Sequence, residues 1–308
     1  MRICRCFATT LVSASLVLAF AASANAQQAP GTAPTFDGGS PYSLKLSSTG
    51  SQEEGSGGGQ PAEEVAVTDA WAEEGDYREV SSFFNVREAN ANVGRGECEF
   101  ELTGEWVTGH GDGDDDFTLS PSVKYGITDD MYTELEFLPI NIGDGGDQGP
   151  GDIGLTLFNQ FVHEDGAMPA LAAWAEMRIP SGDGSSGVDG SLHTAVTKTL
   201  ATKLRGHIAG FVETANGSRD GGEDTRRPFQ WGLGAGVDYE CDPDTIGVLN
   251  YFHRSSENEG NPNYHLLEVG IVRKVYQDNY VKLAFDVGLD GHKETPDFGA
   301  KIQWAIDF

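Results

Sequence analysis

From Glu97 to Phe308 apolar side chains recur with a period of two, and no run of eighteen apolar residues follows residue 26. A membrane-spanning helix needs about 20 consecutive apolar residues, so a helical bundle is excluded as a membrane form. A period of two places alternate side chains on opposite faces of a strand. Cys98, Phe100, Leu102 and Trp106 alternate with Glu97, Glu99, Glu101, Thr103 and Glu105. Phe298, Ala300, Ile302, Trp304, Ile306 and Phe308 alternate with Asp297, Lys301, Gln303 and Asp307. Twelve such runs are expected, at 97–109, 117–127, 132–140, 152–162, 169–180, 190–200, 204–215, 229–239, 245–253, 264–275, 280–289 and 297–308. Their lengths suit strands tilted across a hydrocarbon layer, for which about 9–11 residues suffice. An even count suits a closed, all-β, up-and-down antiparallel barrel of the bacterial outer membrane.

The connections carry the same signal. Six are long, polar and rich in Gly and Asp: 110–116, 141–151, 181–189, 216–228, 254–263 and 290–296. Those between them are short, as at 128–131, 201–203 and 276–279. Long external loops and short periplasmic turns alternate in this way, which places both ends of the barrel in the periplasm. Trp106, Phe117, Phe137, Phe229 and Phe298 fall at the loop ends, and Tyr125, Phe161, Tyr239 and Phe308 at the turn ends. Two interfacial aromatic girdles are expected from them.

Residues 1–26 read as a cleaved signal peptide, with Arg2 and Arg5, an apolar run from Leu11 to Ala22, and Ala24-Asn25-Ala26 as the cleavage site. Residues 27–67 are low-complexity and acidic, an expected disordered linker. Residues 68–96 carry Trp71, Val80, Phe83, Phe84 and Val86, which read either as a short helix lying at the mouth of the barrel at 97–308 or plugging it, or equally as a poorly ordered linker. With 48 acidic against 20 basic residues the chain carries a net charge of −28, which argues against nucleic acid as a partner. The partners expected are outer-membrane lipid and lipopolysaccharide, the barrel-assembly machinery and a small-molecule solute; no cofactor is indicated. Cys98 and Cys241 fall on different sides of a twelve-strand barrel, farther apart than the roughly 7 Å between Cα atoms that a disulfide spans.

Several stretches together resemble the outer-membrane family named after the MetA pathway of phenol degradation. They are Gly96-Glu97 through Trp106, Ser120 through Pro139, Gly149-Pro150-Gly151-Asp152-Ile153-Gly154, and Pro169 through Ile179-Pro180-Ser181-Gly182. The resemblance covers most of 97–308 and implies a barrel transporting small molecules, aromatic ones among them. It supplies no catalytic residues. Cys98 and the acidic tail depart from it. The ending Trp304-Ala305-Ile306-Asp307-Phe308 resembles the C-terminal signal read by the barrel-assembly machinery, with Trp304, Ile306 and Phe308 as its apolar positions.

With these faces outward, the lumen holds Glu99, Glu101, Glu105, Glu134, Glu136 and Glu176 against Lys124 and Arg178. Lys124 is placed to pair with carboxylates on both neighbouring strands. The set reads either as a ladder of ion pairs stiffening a closed, structural barrel or as a cation-preferring constriction in a passive channel. The loop Asp112, Asp114, Asp115 and Asp116 lacks the closing Glu of a calcium-binding loop and reads as solvated. Ser191 and His193 are the strongest hint of catalysis. Side chains two apart on a strand stand too far apart for the hydrogen bond a nucleophile and base require, so no enzyme is expected. Gly232, Gly234 and Gly236 lie within a strand run and read as packing positions, not as a nucleotide fingerprint.

Overall fold

In the computed structural model, residues 79–108, 115–137, 139–143, 149–182, 187–214, 227–276, 279–289 and 296–308 are described. The expected signal peptide, the 27–67 linker, residues 68–78, and Asp112 and Asp114 of the acidic loop lie outside them.

The alternating runs form fourteen strand segments: β1 (Cys98–Val107), β2 (Asp116–Thr128), β3 (Met131–Glu136), β4 (Ile140–Gly143), β5 (Gly149–Pro150), β6 (Ile153–Val162), β7 (Ala170–Ile179), β8 (Asp189–Ala201), β9 (Leu204–Thr214), β10 (Phe229–Asp242), β11 (Thr245–Arg254), β12 (Tyr264–Tyr276), β13 (Asn279–Gly288) and β14 (Phe298–Asp307). From β6 to β14 each segment pairs antiparallel with the next, β3 lies between β2 and β6, β4 lies between β2 and β5, and β1 pairs with both β2 and β14, which closes the sheet into a barrel. Closure leaves neither β1 nor β14 as a free edge. The seam is well registered, from Glu99 opposite Asp307 to Val107 opposite Gly299.

Fourteen segments make twelve staves, because two staves are broken. β2 pairs with β3 from Ser122 onward and with β4 from Asp116 to Leu119. Pro121 and Pro139, which have no N–H to donate, both sit at this gap. Phe137 N donating to Pro121 O at 3.1 Å and Gly151 N to Pro139 O at 2.6 Å bridge it. The third run therefore ends earlier than a continuous strand over 132–140 and resumes beyond a break.

The outer face carries large apolar side chains, among them Leu192, Ile208, Leu233, Val269 and Ile302, each about half exposed. No helix among the described residues is long and apolar enough to cross a membrane, which says nothing of a barrel. Trp106 and Phe298 meet edge-on at 6.0 Å at the loop end, and Tyr239 and Phe161 stand exposed at the turn end. Trp304 and Phe308 of the expected assembly signal lie exposed on the same outer face, with Ile306 half-buried beside them.

The core lies inside the ring of strands. Residues 79–96 are turn and irregular chain rather than helix, and they occupy the lumen. The segment enters and leaves at the turn end. Glu79 lies there beside Glu99 and Asp307, and Gly96 N donates to Gly126 O at 2.8 Å. One apolar cluster joins Val80, Phe83 and Phe84 to Ile246, Val248, Val272, Tyr280, Ala284 and Ala305. A second joins Val86, Ala89 and Val93 to rings and alanines on the opposite wall.

Candidate functional site

The lumenal segment is a tied loop. Val80 N donates to Glu88 Oε1 at 3.0 Å, and Glu88 N returns a bond to Val80 O at 2.8 Å. A loop of this length with its ends held together is a compact unit that carries its own geometry. Its apolar residues need space in the wall, and glycines supply it. A Cβ on Gly234 would lie 2.4 Å from Val86 Cγ2, and one on Gly270 would lie 2.4 Å from the Phe84 ring. At Gly232 a Cβ would meet the rings of Phe211 at 2.4 Å and Phe252 at 2.7 Å. Gly232, Gly234 and Gly236 of β10 are thus packing positions, Gly234 against the loop and the other two against neighbouring strands, while Gly270 of β12 makes the second space for the loop.

One side of the lumen is ionic. Lys124 Nζ lies 2.6 Å from Glu99 Oε1 and 2.8 Å from Glu101 Oε1, all three side chains buried. Both ion-pair partners are on β1; on β3 the register sets Glu134 opposite Lys124, but the contact there is the Tyr132 ring, 5.9 Å from Nζ, and the direct ion pairs run to one side. Extended β1 presents Glu99 and Glu101 two residues apart on one face, so a single ammonium spans both. Lys282 of β13 anchors the loop. It donates to Glu79 Oε2 and Ser81 Oγ, both at 2.8 Å, and to Glu101 Oε1 at 3.3 Å. Lys301 lies 2.6 Å from Glu268 and 3.2 Å from Asp286. Asn85 completes that group, its N donating to Glu268 at 3.0 Å and its Nδ2 to Asp286 at 3.0 Å. Across the lumen Arg205 holds Glu88 at 2.7 Å and Asp238 at 2.6 Å, and His207 Nε2 meets Asp238 at 2.8 Å.

The opposite wall is aromatic. Tyr132, Phe158, Trp174, His193, Phe211 and Phe252 stand side by side, with successive centroids 4.8, 5.9, 4.8, 5.3 and 6.1 Å apart. They come from different strands brought to one height by register: Tyr132 faces Phe158, which faces Trp174, which faces His193, which faces Phe211. Nothing in a single strand announces this arc, because it exists only once the pairing is known. Arg87 of the loop lies against it. Its guanidinium carbon sits 4.3 Å from the Phe158 centroid and 4.6 Å from that of Trp174, and Nη1 donates to Tyr132 Oη at 2.9 Å. Desolvated cation–π contacts of this kind are worth about 2 kcal/mol.

His193 also corrects an expectation. Ser191 Oγ and His193 Nε2 are 2.7 Å apart, although a strand separates alternate residues by about 6.6 Å. The imidazole leans back along the strand to close the distance. The geometry is still poor for a nucleophile. Glu176 Oε2 approaches the same nitrogen, at 3.9 Å, so it does not orient the ring through Nδ1 as the acid of a triad does.

Above the loop, toward the long connections, a cavity of about 310 Å³ remains. Ser82, Phe83, Phe84 and Asn85 form its floor. Its walls bring together Glu101, Glu105, Glu134, Glu136 and Glu176 with Arg178 and Lys301. Six of the eight residues expected in the lumen site therefore line one space. Glu99 and Lys124 lie outside that lining, buried near the turn end.

No family model and no curated protein matches the chain. Solved structures with a similar form include the NanC porin, at 11% identity and TM-score 0.49 over 67% of this chain and 98% of that one. The KdgM porin is 8% identical at TM-score 0.46 over 68% and 99%. The Ralstonia pickettii toluene transporter TbuX is 9% identical at TM-score 0.42 over 70% and 90%.

Proposed function

We propose that the chain spans the bacterial outer membrane, with both barrel ends in the periplasm, as a passage for small solutes gated by residues 79–96. The barrel's apolar outer face and polar interior suit that setting. The observation that carries the reading is the cavity above Phe83 and Asn85, a polar vestibule on the loop side of a bore filled from the turn side. Five carboxylates against two basic groups in its walls favour small cationic or amine-bearing solutes at this depth. Resemblance to the MetA-pathway family points to aromatic solutes. The wall that suits those is the arc now covered by Arg87, reachable only when the loop moves. A closed structural barrel is the second reading, and the continuous bonding of the loop to both walls favours it.

Planar-bilayer recording of the protein lacking residues 1–26, beside a form lacking residues 1–91, separates the two. A low conductance in the longer form and a steady, cation-selective one in the shorter form are expected. Silence from a shorter form shown to be folded would leave the structural barrel.

A further inference from the structure

At the turn end three carboxylates from distant parts of the chain converge. Glu79 of the loop, Glu99 of β1 and Asp307 of β14 each offer an oxygen, and these oxygens lie within 4.8 Å of one another. Glu79 gives Oε2 to Lys282 and Glu99 gives Oε1 to Lys124. Their other oxygens, Glu79 Oε1 and Glu99 Oε2, are buried with no hydrogen-bond partner, on residues 1% and 0% exposed. Two orphaned, buried carboxylate oxygens on members of one acidic cluster are costly unless something satisfies them.

The local charge says what fits. Glu79, Glu99, Glu101 and Asp307 are four carboxylates, and the ammonium groups paired with them, Lys124 and Lys282, are two. Two negative charges are left over. Oxygens held about 2.4 Å from one calcium ion lie at most about 4.8 Å apart, a bound the three donors meet, and calcium accepts an irregular oxygen shell where magnesium demands a near-octahedral one. We propose that Glu79, Glu99 and Asp307 bind one calcium ion, which cancels the excess charge and fastens the lumenal loop to the two strands of the barrel seam. Carboxylate oxygens are the donors this hard cation takes, and waters complete its shell. The site stands whether or not a solute passes through the bore.

The test uses protein lacking residues 1–26, folded in detergent and stripped with EDTA. Calcium chloride is titrated by calorimetry in enough salt to screen diffuse attraction to an acidic surface. One stoichiometric site is expected, together with a melting temperature that rises with calcium and not with sodium at matched ionic strength. Glu79→Gln and Asp307→Asn should each weaken that site roughly 100-fold, while Asp116→Asn, on the exposed start of β2, leaves it unchanged. The absence of a stoichiometric site in the unsubstituted protein would overturn the proposal, as would a site indifferent to both substitutions. So would a melting temperature that rises with acid and ignores calcium, since protons would then be cancelling the charge. Should the variants fail to fold, stoichiometry and melting of the unsubstituted protein decide.

Discussion

Gly270 shows how much a single missing side chain does in this lumen. A Cβ there would lie 2.4 Å from Phe84 Cε1 and 2.8 Å from Leu283 O, so both the loop and the neighbouring strand would have to yield. Gly270→Ala is expected to destabilise the folded protein by about 1–3 kcal/mol, the usual cost of overpacking. Phe84→Ala removes the first clash. The double variant, compared with each single one by urea unfolding, should therefore lose less than the sum of the two. Strictly additive losses would mean that the strand alone, and not the loop, sets the requirement for glycine. The sequence allowed Gly232, Gly234 and Gly236 to be read as packing positions, yet it did not reveal that Gly234 makes room for Val86 of the loop, or that Gly270 does the same for Phe84. Arg87 was illegible for the same reason: its partners Tyr132, Phe158 and Trp174 lie 45, 71 and 87 positions away, and only the barrel's register makes them neighbours.

Among the elements, the strands were the most legible, because a strand with one face in lipid and the other in the lumen must alternate. Where the pattern failed to foresee a break, at β3 and β4, the cause is the pair Pro121 and Pro139, whose effect depends on their meeting across two strands. The lumen carboxylates were legible through the same alternation, but the choice of partner was not. The ion pairs of Lys124 both go to β1, its contact with β3 being the Tyr132 ring, and the decisive anchors of the loop are Lys282, Lys301 and Arg205. The connection between β6 and β7 offers a test of its own. Partial burial raises the Glu164 carboxyl, but bonds from Lys198 Nζ, Thr199 N and Thr199 Oγ1 outweigh it and hold the group below its ordinary value of 4.5. A depressed carboxyl stabilises the fold above its unfolded value and loses that contribution as pH falls through the lowered one. Glu164→Gln should therefore speed amide exchange at Thr199 at neutral pH, with the difference from the parent vanishing in strong acid. A difference that persisted in acid would show that the contacts act through shape and not charge.

At the scale of the molecule, the barrel and its loop should differ in how they open. The strands hold one another through ladders that close on themselves, whereas the loop is held by side chains, many of them ionic. Buried ion pairs contribute little net stability but fix a unique arrangement, since removing one partner strands the other. Hydrogen exchange followed by mass spectrometry should find Val80–Ala91 exchanging as one unit, well ahead of β8 to β14. Exchange of the loop in step with the strands would instead mean that the two form a single cooperative body and that the bore opens only by unfolding. The path of the loop bears on which of these a membrane-embedded ring can tolerate. Glu79 and Gly96 lie at the same mouth, so the chain goes in and comes out on one side. In topological terms it is a finger in a ring and not a thread through it. No chain end has to cross the bore for it to withdraw, no knot forms when it returns, and the cycle can repeat for as long as the ring stays closed.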